Sequence, residues 1–478
     1  MRAVMEAVPR ALADPDRPVY HFAAPARWMN DINGPIYYRG HYHIFYQHNP
    51  FGDKSFNENI TDHIQLAQMH WGHARSKGLV SWEHLPIALA PCIEQREMSC
   101  WSGCATLNVE GAPMLFYTAV FENEMPYKIP FEQWAAVGSE DLLTWERSAA
   151  NPILSLESHG KPDFNSDWRD PFIFRAADRT FMIIGACGEA GTPIYEARNN
   201  EFTKWEFQGI MWDRSVECPN FVPLDDKWLF ISSPFEQVSY NVGTFDTKSL
   251  RFIPETTGIV DQGHYYGTNT LFDDQGRCIL FGWIPGWEWD VLRNDCGWNG
   301  CMSLPRILSL GANGCLLQSP APELHKLRKT ETHFHRSDMA IDSSHVLEGV
   351  QGDTLEIIIE FLPGDATAYG LNVRRSEDGK NAVRIKCERE KHMLDIAGSS
   401  VPLSPADMER PLKLHLFLDK SVIEAYVNDG EAVATRMLYP GREDLGVEIF
   451  AGSGSMTVRS IDIWEMMPAV ITSKYLDT

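Results

Sequence analysis

Along the first 310 residues, short runs of β-branched and aromatic residues are separated by clusters of Gly, Asp, Asn and Pro. Tyr42 to Tyr46, Phe181 to Ile184, Trp228 to Ile231 and Cys278 to Trp283 are examples. Runs this short, with these residue types, fit a pleated and half-buried surface, so they predict strands. No helix longer than three turns is predicted in this region. The pattern also repeats. Ser76 to Glu83 (Ser-Lys-Gly-Leu-Val-Ser-Trp-Glu) returns as Ser139 to Glu146, more loosely as Asn199 to Glu206, and as an echo at Asp246 to Phe252. The anchoring aromatics Trp82, Trp145, Trp205 and Phe252 stand 63, 60 and 47 residues apart. That pitch is about one four-stranded blade each, which predicts a β-propeller over residues 1–317.

The pattern changes at a linker placed at residues 318–336, where Ser-Pro-Ala-Pro precedes the amphipathic Glu323 to Arg328, a turn or two of helix. Beyond it, Leu412, Leu414, Leu416 and Leu418 fall at every second position, the mark of a strand buried on one face. Val422 to Val427 runs into Asn428-Asp429-Gly430, a hairpin signal. Residues 337–478 therefore read as a β-sandwich, and the whole chain as all-β.

At 478 residues the chain is too long for one core, which agrees with two domains. A formal charge of −23 argues against a nucleic-acid backbone or an anionic membrane surface as partner, and fits a neutral ligand. The 15 Trp, 15 Tyr and 24 Phe are mostly core, with a few faces left to stack on sugar rings. The ten Cys are irregularly spaced and include no Cys-x-x-Cys pair, so free thiols and a reducing compartment are expected. Met1 to Tyr20 holds no signal-peptide core, and no run of about 18 apolar residues occurs. The default expectation is a cytoplasmic protein, or a secreted one if a leader has been removed.

Three acids sit in unusual company: Asp31 in Trp28-Met-Asn-Asp-Ile-Asn-Gly34, Asp170 in Trp168-Arg-Asp-Pro-Phe172, and Glu217 in Val216-Glu-Cys-Pro-Asn220. Cleaving a glycosidic bond takes two carboxyl groups, one ionised and one protonated, and a third can stabilise the oxocarbenium-like transition state. Glu217 suits the acid role, since an apolar setting and nearby like charge both raise a carboxyl pKa. By spacing alone, an Asp before Pro is equally a turn former.

From about Trp28 to Trp464 the chain resembles glycoside hydrolase family 32, the invertase, inulinase and levanase family. Trp28 to Gly34 is similar to the family's Trp-Met-Asn-Asp-Pro-Asn-Gly, Arg169-Asp170-Pro171 to its Arg-Asp-Pro, and Glu217-Cys218-Pro219 to its Glu-Cys-Pro. Phe45 to Pro50, His70 to Ala74, Trp101-Ser102-Gly103, Gly297 to Arg306 and Val422 to Gly430 follow in the family's order. The resemblance implies a five-bladed β-propeller plus a C-terminal β-sandwich. It implies a retaining mechanism on terminal β-D-fructofuranosyl residues of sucrose, fructo-oligosaccharides or fructans. Asp31 would be the nucleophile, Asp170 the transition-state stabiliser and Glu217 the acid/base. Asn30, Gln47, Trp101, Ser102, Arg169, Tyr266 and Trp283 would line the fructose pocket. Arg169 would orient a neighbouring carboxylate or form an ordinary salt bridge. No cofactor or metal is implied, and His41, His43, His70 and His73 read as structural.

Three departures stand out. Ile32 replaces the family's Pro, and His264 stands where an acidic residue is usual. Phe51 to Met69 is a longer loop without the family's Trp, in which Phe56 could stack on substrate; Asp62 and His63 lie within it, upstream of His70 and His73, and imply no metal site. A fructosyltransferase, a catalytically silent carbohydrate-binding protein and an arabinoside-cleaving propeller remain the competing readings.

Overall fold

The structure, a computed structural model, describes residues 1–53, 68–121, 131–156, 164, 168–185, 187–214, 216–286 and 288–473. Phe56, Asp62 and His63 lie outside the described residues. Five sheets follow one another along the chain, opening on strands Arg27–Tyr38, Glu97–Leu107, Arg169–Ala176, Glu217–Leu224 and Tyr266–Phe272. Each of these strands contacts the next and the last contacts the first, so they close a ring. Within each blade the later strands step outward and antiparallel, as Arg169–Ala176, Arg179–Gly185, Thr192–Ala197 and Trp205–Trp212 do. This is a five-bladed β-propeller.

The repeated aromatics now have a structural meaning. Trp82, Trp145 and Trp205 each open the fourth strand of their blade, and Phe252 is the second residue of its strand. In the first three, the indole N–H donates to the carbonyl three residues earlier: Leu79 at 3.1 Å, Leu142 at 3.2 Å and Phe202 at 2.9 Å. Those three residues have φ of +64°, +59° and +56°, a conformation side chains avoid. The repeat is thus a turn lock, in which the Trp holds the strained corner that leads into the outer strand.

The second domain is a sandwich of two six-stranded sheets. Leu412, Leu414, Leu416 and Leu418 are buried in its core with Ile357, Ile359, Leu371 and Ile449. Its borders differ from those expected. Leu316–Pro320 pairs with Arg306–Leu310 as the last strand of the fifth blade, and Phe334–Ile341 already pairs with Met456–Glu465. The linker is therefore shorter than 318–336, with one 3-10 stretch at Pro322–Leu327. Past the sandwich, Ile471–Thr472 returns to pair in parallel with Trp82 and Glu83 on the outer edge of the first blade.

The expectation of no helix beyond three turns is corrected by Arg2–Ala13, a 12-residue helix. Val4, Ala7 and Ala11 form its buried stripe, packed in a cluster with Ile32, Ile44 and Trp298. Small side chains and Pro9 within the helix hide this stripe from a reading by hydrophobic period.

A wholly buried ion network joins the two domains. Arg306, in the third long strand of the fifth blade, donates to Glu424 Oε2 of the sandwich at 2.6 Å and to Asp261 Oδ2 at 2.9 Å. Asp261 in turn accepts from Thr435 Oγ1 at 2.6 Å. His21 bridges Glu424 Oε1 at 3.1 Å and Asp419 Oδ2 at 2.9 Å. Burial opposes protonation of His21, but its hydrogen bonds to Asp419 and Glu424 outweigh that and raise it to about 9. Burial likewise disfavours an ionised Glu424, yet Arg306 and then His21 hold it down to about 2. Removing the central cation takes the charged partner from Asp261 and leaves Glu424 to His21. Arg306→Met is therefore expected to cost about 3–5 kcal/mol, read as a lowered midpoint in denaturant unfolding; a midpoint equal to the parent's would mean the network contributes nothing net.

Candidate active site

Each of the five inner strands begins with the same irregularity. Between Met29 and Ile32, Cys100 and Gly103, Arg169 and Phe172, Glu217 and Asn220, and Tyr266 and Asn269, the register shifts so that the inner strand holds one extra residue. These are β-bulges, which re-aim side chains at strand ends. The bulged pairs are Asn30-Asp31, Trp101-Ser102, Asp170-Pro171, Cys218-Pro219 and Gly267-Thr268. Five bulges on five neighbouring strands therefore converge at one end of the ring. Beneath them a small cavity is lined from all five strands, by Asn33, Ser102, Asp170, Cys218 and Thr268 among others.

The carboxylates are joined through a short web of contacts. Asp31 accepts from Ser102 Oγ at 2.6 Å, Asn30 Nδ2 at 3.1 Å and the Cys218 thiol at 3.5 Å. The same thiol lies 3.7 Å from Asp170 Oδ2, which also accepts the Cys218 backbone N–H at 3.0 Å. Asp170 has φ of +64°, and its own N–H donates to Thr118 Oγ1 at 3.0 Å. Arg169 Nε lies 3.9 Å from Asp170 but donates to Glu217 Oε1 at 3.1 Å, with Nη2 in contact with the same oxygen. Its principal partner is thus Glu217, and not the carboxylate beside it in sequence. Glu217 Oε2 accepts from Tyr266 Oη at 2.7 Å.

The remaining expected residues sit around this web, not all of them facing a ligand. The Gln47 amide donates to Cys100 O at 2.9 Å, next to Trp101. Trp101 is half-buried, its ring 5.0 Å from Phe131, and offers part of a face. Trp283 is only 2% exposed and packs edge-on to Trp28 at 5.5 Å, so almost none of its ring faces solvent. Its register partner is Tyr266. His264 lies outside the web altogether. Buried at the domain interface, it donates its backbone N–H to Thr435 O at 2.7 Å, and its Nδ1 accepts from Met437 N at 3.0 Å.

Several participants carry no obvious sequence label. Trp28 donates to Asn30 Oδ1 at 2.7 Å, which turns the Asn30 amide NH2 towards Asp31. Gly267, with φ of +54°, is packed so closely that a Cβ would stand 2.3 Å from Asp31 Oδ1. Pro171 and Pro219 were the available signal, because Pro inside a strand run marks a bulge.

Residues 21–320 match the N-terminal domain of glycosyl hydrolases family 32, and residues 323–465 match that family's C-terminal domain. The chain belongs to glycosyl hydrolases family 32. It is 30% identical to a sucrose-6-phosphate hydrolase of Escherichia coli, over 94% of both chains. It is also 30% identical to a levanase of Bacillus subtilis, over 94% of this chain and 70% of the levanase. Among solved structures, a GH32 β-fructofuranosidase of Bombyx mori shares 27% identity with a TM-score of 0.79, over 98% of each chain.

For a family 32 glycosidase the electrostatics of the web are apt. Burial raises Asp170 above the ordinary carboxylate range, against the pull of Arg169. Burial raises Glu217 to about 7; Arg169 and Tyr266 oppose the rise and the charge of Asp170 adds to it. Glu217 therefore holds or releases a proton near neutrality, as a group that must be acid in one step and base in the next requires. Tyr266 suits both states. Its single hydroxyl proton has two acceptors at 2.7 Å, Glu217 Oε2 and Ser233 O, while its oxygen accepts the Phe235 N–H at 2.9 Å. With Glu217 ionised the phenol donates to it. With Glu217 protonated, the phenol turns to Ser233 and its oxygen accepts from the acid.

This arrangement fixes the sign of a pH effect. Glu217 is protonated below about 7, so an acid-dependent kcat/KM is retained there and falls as pH rises through that value. Tyr266→Phe removes a donor that favours the ionised form. The alkaline limb of kcat/KM is expected to move upward by roughly one pH unit. A downward shift, or none, would show that the phenol does not govern the Glu217 proton.

Proposed function

We propose that this family 32 enzyme releases terminal β-D-fructofuranosyl units from sucrose, fructo-oligosaccharides or fructans with retention, using Asp31 as nucleophile, Glu217 as acid/base and Asp170 as transition-state stabiliser. The observation that carries the reading is the pairing of Glu217, raised to about 7 by burial, with Asp31, on which three hydrogen-bond donors converge, across a single web of contacts. Two acids in such different settings divide the work of a double displacement. Asp31 attacks the anomeric carbon while Glu217 gives its proton to the departing oxygen. Glu217, now a carboxylate, then takes a proton from water, which attacks the same carbon and frees Asp31. Asp170, held by the Cys218 N–H and by Thr118, carries negative charge beside the sugar as positive charge develops on it. The named relatives support the substrate class: one acts on sucrose 6-phosphate and another on levan.

Chromatography of products from sucrose, sucrose 6-phosphate, kestose, inulin and levan tests the reading. Free fructose is expected from at least one of them. Higher oligomers at high sucrose would assign a fructosyltransferase, and arabinose release without fructose would overturn the substrate class.

A further inference from the structure

The acid/base side of the site presents a large apolar group to solvent. Phe235 is 59% exposed and sits in the turn between strands Lys227–Ser233 and Ser239–Asp246 of the fourth blade. Its φ is +61°, a conformation bulky side chains rarely adopt and one that must be held by its surroundings. Two of its contacts tie it to the acid side of the site. Its N–H donates to Tyr266 Oη at 2.9 Å, and the Arg169 guanidinium lies 5.9 Å from the ring centroid. Tyr266 and Arg169 are also the two side chains bonded to Glu217. The ring is thus positioned through the same groups that aim the acid.

The direction of the chemistry gives this placement a meaning. The acid must reach the oxygen of the bond being cut, so the leaving group has to occupy the Glu217 side of the site, opposite the nucleophile. A sugar there turns one C–H-rich face towards its surroundings, and an aromatic ring is the side chain best matched to such a face. We propose that Phe235 is a specificity-determining residue that forms a wall of the leaving-group subsite, stacking on the glucosyl or second fructosyl unit as it departs. The inference rests on Glu217 as the acid of the proposed function.

The test compares two substrates that share a fructosyl group and differ in the leaving group. Sucrose carries a whole sugar ring as leaving group; methyl β-D-fructofuranoside carries a methyl group, which has no sugar face to stack. In Phe235→Ala the ratio of kcat/KM on sucrose to kcat/KM on the methyl fructoside is expected to fall about tenfold, mainly through KM, and Phe235→Trp is expected to restore it. The alkaline limb of kcat/KM should stay where it is in the parent. An equal loss on both substrates, or a displaced limb, would overturn the proposal, because the ring would then act through Arg169 or Tyr266 on the acid. An unchanged ratio would overturn it as well. A parent enzyme that frees fructose from neither of these, nor from sucrose 6-phosphate, kestose, inulin or levan, would instead sink the substrate class, and this proposal with it.

Discussion

Asp31→Asn is expected to lower fructose release by about 10⁴-fold or more while leaving the fold intact. The replacement is nearly isosteric, and its side-chain oxygen can still accept from Ser102 Oγ. What it lacks is the carboxylate's second oxygen and its negative charge, and hence the power to form an ester to the anomeric carbon. The surroundings leave no substitute within the web: Asp170 is engaged by the Cys218 N–H, and Glu217 by Arg169 and Tyr266. Purified Asp31→Asn should unfold at the parent's midpoint and still bind fructose. Retention of even one per cent of the parent's kcat, on protein free of parent enzyme, would move the nucleophile elsewhere.

How far the sequence discloses this molecule depends on whether a feature is local. The first three blades are legible because each carries its own Trp turn lock within eight residues, and the indole recurs where that strained corner recurs. The sandwich is legible from every-second Leu in one strand. The three acids stand out only through their short motifs, and the motif neighbours prove to be structural parts of the site. Pro171 and Pro219 occupy bulges, and Cys218 gives its N–H to Asp170 and sets its thiol between Asp170 and Asp31. Read by turn propensity, Asp170 before Pro171 is a loop residue; it is in fact inside a strand, at the point where one extra residue turns its side chain inward.

Non-local features stay hidden. The carboxylate partners of Arg306 lie 45 and 118 residues away in sequence, and His21 is about 400 residues from the carboxylates it bridges. No window along the chain contains both halves of such a pair, and an isolated buried charge has no periodic signature. The return of Ile471–Thr472 to the first blade is hidden for the same reason. Gly267 is a milder case. Its neighbour Tyr266 reads as a site residue, whereas the need for glycine comes from the Asp31 carboxylate, on a different blade. His264, which stands where the family usually has an acidic residue, is used by the fold to join domains.

Glu217→Ala separates the two halves of the mechanism, and its effect should depend on the leaving group. With sucrose, the departing glucose oxygen needs a proton, and a general acid is worth about 10²–10⁴-fold; kcat/KM is expected to fall by about 10³. With an activated fructoside, such as a fluoride, departure needs far less help and the first step should be nearly preserved. The second step then becomes limiting, since water has lost its base. Azide needs no base, so adding it is expected to speed turnover and give a fructosyl azide of retained configuration. This variant also removes the carboxylate that Arg169 and Tyr266 share, which is why the leaving-group dependence, and not the bare loss, is the decisive reading. Equal losses on sucrose and on the fluoride, with no response to azide, would mean that Glu217 positions the site without exchanging a proton with the substrate.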